Sequence, residues 1–214
     1  MKCRCALGFP VAVVLLMLGV GGCSSVTLVQ PLPQSPDATE RARFEGEWIA
    51  GDQVLYVRFG SGGIGQFAGV DWKEDRFQLE KGEFVLSRGQ THHFLSLRVQ
   101  EKGVWEDRYY FVQYHFTAQG DLVLWLPDVD AFRNAVAQGK LVGIGESRRE
   151  SGSVTIASPP ELVVAFLNDP ANGVLFDYRD PMIVKRLILK PAERREKRSS
   201  DNTRPGLVSP IARR

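Results

Sequence analysis

The chain is poor in the residues that catalysis usually draws on. It holds three cysteines in 214 residues, and two of them, Cys3 and Cys5, stand at the very start. Beyond Cys23 there is none, which excludes a disulfide framework, a thiolate nucleophile and a cysteine metal site from the rest of the chain. Histidines also number three: His92, His93 and His115. Neighbouring strand residues point to opposite faces, so His92 and His93 do not chelate one ion. A metal site would need one of them with His115 and an acid such as Asp107, and half-exposed strand positions account for all three equally simply. Neither HExxH nor GxSxG occurs, and Ser87 and Ser96 lie in strand-like stretches without a nucleophile elbow. Asp128 and Asp130 precede a helical pattern, where capping and the helix dipole explain them better than acid–base chemistry. No catalytic residue, metal site or cofactor is assigned on these grounds. A membrane-spanning run is missing too: Ala6 to Val20 is apolar but interrupted by Gly8, Pro10 and Gly19, and it falls short of the roughly 20 residues that a spanning helix needs. The net charge of +2 hides an uneven distribution, with +2 on residues 1–22 and +4 on residues 191–214, which leaves −4 for residues 23–190. A weakly acidic central part argues against nucleic-acid binding.

What is present at the N-terminus is an ordered export pattern. Lys2 and Arg4 precede the apolar stretch, which ends in Val20-Gly21-Gly22-Cys23. That tetrapeptide resembles the lipobox of bacterial lipoproteins. The resemblance implies cleavage after residue 22, a diacylglyceryl thioether on Cys23 and attachment to a membrane through the acyl chains. In Gram-negative lipoproteins a residue such as Ser24 goes with outer-membrane sorting, so the implied location is the outer membrane, lipid-anchored and facing the periplasm. Residues 23–40, with three prolines and no apolar period, read as the lipidated N-terminus and a flexible tether. Residues 191–214 read as a disordered basic tail.

Between these ends, residues 41–190 are one domain's worth of chain. "QVLYVRF", "EFVLSR", "HHFLSLRVQ", "DRYYFVQYHF" and "DLVLWLP" are strand-like, and their short spacing demands antiparallel hairpins. Two helices follow. Asp128 caps "VDAFRNAVAQ", which ends at Gly139, and Ser158 with Pro159, Pro160 and Glu161 forms a capping box that sets Val163, Phe166 and Leu167 on the core side. The expected fold is α+β and β-dominated, an antiparallel barrel or strongly curved sheet with two helices in the second half.

Three features bear on function. Gly60-Ser61-Gly62-Gly63-Ile64-Gly65 spells GxGxxG, with Glu80 where a ribose-binding acid would fall. The following "GQFAGVDW" has period two, however, so the glycines are expected in an exposed turn at residues 60–65 with a strand after it. Gly46-Glu47-Trp48 is similar to the GxW at the first strand of lipocalins, and Phe176-Asp177-Tyr178, with Arg186 beyond, resembles their TDY motif. This resemblance implies a barrel that holds a small apolar ligand. The chain departs from the pattern in its two predicted helices and in placing the tripeptide near its end. Finally, Tyr110, Val112, Tyr114 and Phe116 share one face of a strand whose other face carries Tyr109, Phe111 and His115. Both faces are engaged, by core, ligand or partner, so Tyr109, Phe111, His115 and Trp48 are the candidate contact surface. The function expected is a membrane-anchored, non-catalytic binding or cell-envelope interaction module. A lipocalin-like carrier and a periplasmic hydrolase are the alternatives, with an envelope protein or small apolar ligand as the partner.

Overall fold

Alternation of period two builds most of the molecule. In the computed structural model, residues 25–188 are described except 36, 52, 74, 75, 102 and 146–151. The expected signal segment, Cys23 and the expected basic tail lie outside the described residues. The strands are β1 (Val26–Leu28), β2 (Gly46–Ala50), β3 (Gln53–Phe59), β4 (Gly65–Lys73), β5 (Arg76–Arg88), β6 (His93–Glu101), β7 (Val104–Trp105), β8 (Tyr109–Phe116), β9 (Leu122–Trp125), β10 (Gly143–Gly145), β11 (Val154–Ile156) and β12 (Met182–Arg186). The helices are α1 (Ala38–Phe44), α2 (Val129–Ala137) and α3 (Pro160–Asn168).

Eight of the strands close a ring in the order β2-β3-β4-β5-β6-β8-β9-β12, and β12 returns to pair with β2. The expected antiparallel barrel is therefore present and closed. Its interior is filled from inward-facing positions: Trp48 and Ala50 on β2, Val57 on β3, Phe84 and Leu86 on β5, Leu95, Leu97 and Val99 on β6, and Val112, Tyr114 and Phe116 on β8. A second core forms outside the wall. There β1 pairs with β8 and, in parallel, with β11, while α2 and α3 cover Phe94, Phe111 and Phe176.

The glycines of β4 and β5 show how the barrel accommodates its rings. Gly65 lies opposite Phe84, and Phe67 opposite Gly82. A Cβ on Gly65 would sit 2.2 Å from the Phe84 ring, and one on Gly82 would sit 2.0 Å from Phe67 and 2.8 Å from the Arg98 carbonyl oxygen. Each ring thus lies over the glycine of the other strand, where a side chain would have blocked it. Gly82→Ala is expected to lower stability by about 1–3 kcal/mol, measured by urea unfolding, and Phe67→Leu in the same chain to recover part of that loss.

Of the exposed turn expected at residues 60–65, residues 60–64 do turn, with the Gly63 N–H donating to the Gly60 carbonyl and φ of +75° at Gly63, but Gly63 is buried and Gly65 belongs to β4. Gly65 opens a strand and no helix follows, so the amides that a pyrophosphate would need are engaged in a β-ladder. On β4 Val70 is exposed, whereas Phe67 points into the barrel.

Two expectations require correction. Within the expected tether of residues 23–40, the described residues from Val26 onward are part of the fold. All of β1 is buried, Leu32 donates its N–H to Ser96 Oγ (3.1 Å), the Ser35 N–H donates to the Leu86 carbonyl (2.6 Å), and α1 follows. The prolines shape an extended segment that finds specific partners along β5 and β6. The α3 cap is also different: Pro159 occupies the N-cap without a side-chain bond, while Ser158 Oγ accepts from the Val142 N–H at 2.7 Å. The side chains expected on the core side of α3 are buried, and Asp128 does cap α2, its Oδ1 accepting from the N–H groups of Asp130 and Ala131.

Candidate functional site

One end of the barrel is closed by α1. Asp37 caps this helix through the N–H groups of Thr39 and Glu40, which turns Glu40 inward on the next half-turn. Phe44, at the last helical position, inserts into the barrel and packs edge-on against Tyr114 (5.1 Å) and Phe116 (4.9 Å). Trp48 then locks the junction. Its Nε1 donates to the Phe44 carbonyl at 2.7 Å, and the Arg186 guanidinium lies 5.4 Å from its ring centroid. Arg186 also donates to the carbonyls of Arg43 (2.8 Å) and Glu45 (2.7 Å), so the final strand caps the C-terminal end of α1 with a cation. Gly46 has φ of +122°, and a Cβ there would stand 3.4 Å from Arg186 Nη2. The Gly46-Glu47-Trp48 motif and Arg186 thus meet in space as a latch between the first and last barrel strands. Phe176 and Tyr178 lie elsewhere: Phe176 belongs to the outer core, and Tyr178 donates to Gln113 Oε1 at 2.8 Å.

Beneath α1 is a polar cluster. Glu40 is buried, and its Oε1 accepts from the Tyr114 hydroxyl at 2.6 Å and stands 2.5 Å from His93 Nδ1. Burial pushes the Tyr114 phenol pKa well above its usual range, and the Glu40 carboxylate adds to this by accepting the proton's hydrogen bond and by repelling a phenolate; Arg43 opposes it. A raised folded-state pKa stabilises fully below the ordinary phenol value of about 10. Above that the unfolded chain ionises while Tyr114 holds its proton, so stability falls by up to about 1.4 kcal/mol per pH unit. Tyr114→Phe is expected to flatten this decline, read from urea midpoints between about pH 9 and pH 11. An unchanged slope would assign the alkaline loss to other groups.

Between this plug and the opposite end of the barrel lies a cavity of about 90 Å³. Its walls are hydrocarbon and aromatic, including Phe44, Trp48, Leu55, Leu95, Leu122 and Val184. Gln53 is the one polar side chain among them. It starts β3 in phase with Val57, is 4% exposed, and its Nε2 has no hydrogen-bond partner. The β2–β3 pairing puts it opposite Ala50, at the far end of the strand from α1.

The candidate surface residues fall into separate settings. Trp48 faces the barrel interior. Phe111 is 1% exposed and packs edge-on against Phe132 (5.4 Å) and Phe176 (6.0 Å), so helix packing is what engages the outer face of β8 there. Tyr109 is half-buried under the Arg98 guanidinium, 5.0 Å from its ring centroid, and His115 is exposed. Among the histidines, His92 meets Gln113 and His93 meets Glu40, on opposite sides of the wall. Among the described residues no group of three or more acids, histidines or cysteines is placed to hold a metal ion.

Sequence reasoning missed Glu40 and Gln53. Asp37 followed by Glu40 at three residues' distance is a capping signal hidden by the surrounding prolines. Gln53 shares the inward phase of Leu55, Val57 and Phe59, and a polar residue in such a row was the available clue. The chain matches no family model, none of the curated proteins and none of the solved structures.

Proposed function

We propose that this chain is a lipid-anchored protein of the bacterial outer membrane whose lipocalin-like barrel binds a small apolar ligand without catalysis. The observation that supports it is the apolar cavity of about 90 Å³ inside an otherwise filled barrel. An eight-stranded barrel is just wide enough either to be filled by side chains or to hold one small ligand. Sites for drug-sized molecules run to roughly 300–1,000 Å³, so the ligand on this reading is far smaller. Attachment is proposed through Cys23. Only Ser24 and Ser25 lie between Cys23 and Val26, where β1 begins, at most roughly 10 Å of extended chain. On this reading the domain rides directly on the headgroups.

A second reading, contact with an envelope protein, is favoured by the outer wall of the barrel. Val70 and Leu79 are paired across β4 and β5 and are 51% and 58% exposed, with Phe77 beside them at 74%. Native mass spectrometry of the full chain extracted from its own membranes separates the two. A reproducible small-molecule adduct supports the ligand reading, and bare protein that crosslinks in cells to one envelope protein supports the contact reading. Acyl labelling of Cys23→Ser tests the anchor, which is expected to lose all label; persistent label would sink the assignment.

A further inference from the structure

The outer wall of the barrel specifies its partner, provided that it is a contact surface, as the second reading above holds. Register sets the outward side chains of β3, β4 and β5 in rows across the three strands. One row is apolar and exposed: Val70 pairs with Leu79, and Val54 stands one step beyond the Leu55–Gly69 pair. The next row is Tyr56, Ala68 and Lys81, and the one after it is Arg58, Gln66 and Glu83. Their charges are not spent within the chain. Among the described residues Arg58 and Lys81 enter no ion pair, and Glu83 meets Arg98 through Oε1 alone. A second copy turned by half a revolution about an axis along β4 lays its β5 over β3. Val54 then faces Leu79 of the other copy, Tyr56 faces Lys81 and Arg58 faces Glu83, and each contact forms twice. Ala68 lies on the axis, where its small side chain lets the two sheets approach. Turned about an axis across the strands instead, the copies would bury Arg58 and Glu83 against Val54 and Leu79, so the charges select one arrangement. A lipid surface fits less well. The proposed anchor departs from β1, which pairs with β8, and β8 stands opposite β3 in the ring, so on the anchored reading this wall is turned away from the membrane.

We infer that the wall of β3, β4 and β5 is the isologous interface of a homodimer whose two-fold axis runs along β4. The apolar row supplies the buried contact, and the Arg58–Glu83 and Tyr56–Lys81 pairs between copies fix its register. A partner without that pattern leaves these charges unmatched, so the wall discriminates in favour of its own copy.

The test uses the full chain in the cells that make it. Ala68→Cys places a thiol on the axis, so mild oxidation is expected to link most of the chain into one dimer on a non-reducing gel. Wild type controls for Cys3, Cys5 and Cys23, and Ile183→Cys, exposed on β12 away from the wall, is expected to stay monomeric. In sedimentation of the detergent-solubilised full chain, Arg58→Glu and Glu83→Arg are each expected to raise the dimer dissociation constant about a hundredfold. The double variant recovers most of that loss, because the exchanged charges meet across the interface. Glu83→Arg also sets two cations together with Arg98, and the crosslink at position 68 decides the matter alone if that variant does not fold. A monomeric wild type, no more dimer from Ala68→Cys than from Ile183→Cys, or a folded double variant no tighter than the single ones overturns the second copy as the occupant. A photo-crosslinking side chain in place of Ala68 then separates the two failures. Crosslinks in cells to a different envelope protein leave the contact reading standing, whereas crosslinks to lipid alone, or none, overturn that reading as well.

Discussion

Trp48→Ala is expected to cost about 3–5 kcal/mol of unfolding free energy, the range for truncating a large buried aromatic side chain. Small domains are stable by only about 5–15 kcal/mol, so the variant should sit close to the edge of folding. Trp48 is 2% exposed, and three contacts depend on it: the bond to the Phe44 carbonyl, the ring face under Arg186 and the packing on Phe116 at 6.2 Å. The first two tie α1 and β12 to β2 and the third ties β8 to it, so the loss should fall on barrel closure. Trp48→Phe keeps most of the apolar area but removes the indole N–H, and it should lie between wild type and the alanine variant. Urea midpoints at constant slope provide the measurement. A loss below about 1 kcal/mol for Trp48→Ala would mean that α1 and β12 are held by other contacts.

Glu40→Ala is the second large effect, about 2–4 kcal/mol, combining a stranded buried hydroxyl with lost helix packing. Glu40 accepts from Tyr114 and contacts His93, while its own Oε2 is buried without a partner. The alanine variant removes an awkward carboxylate but leaves the Tyr114 hydroxyl without its acceptor. Replacing both partners should be milder than the sum of the single losses. In a cycle of Glu40→Ala, Tyr114→Phe and the double variant, the coupling is expected to reach about 1 kcal/mol or more. Strict additivity would show that the contact does not hold α1 in place.

The sequence made the barrel legible because period two in residues 53–59 and 109–116 is local and strong. Asp128 and Gly139 bracketed α2 for the same reason: a cap and a left-handed terminus are each specified within a few residues, and Gly139 has φ of +72°. The part that escaped notice is held by distant partners. β1 is three residues long, too short for any period, and its parallel neighbour β11 lies 128 residues away at the paired Thr27 and Thr155. Composition alone marked residues 23–40 as tether, whereas within them the Leu32 and Ser35 amides are satisfied by β6 and β5. Ser158 had the letters of a cap, yet its hydroxyl serves the chain beside β10. The candidate site was legible only in fragments. Trp48 and Arg186 could be named, but the polar pair beneath α1 joins a helix to a strand 74 residues further on, and no spacing announces such a contact. On β8 the pattern indicated two engaged faces without indicating that α2 and Phe176 supply the outer contact.

On the proposed reading, the space inside the barrel is a binding cavity and not a packing defect. Ala50 lines it and is 2% exposed, so Ala50→Leu puts an isobutyl group where a ligand would sit. Thermal unfolding in buffer saturated with n-butane, an apolar probe of four carbons, is the direct measurement. At about 100-fold excess over its dissociation constant a ligand adds about 2.7 kcal/mol to the native state, enough to raise Tm by several degrees. That shift is expected in wild type, and in Ala50→Leu a higher unliganded Tm with the shift abolished. No shift in wild type, or the same shift in Ala50→Leu, would contradict it.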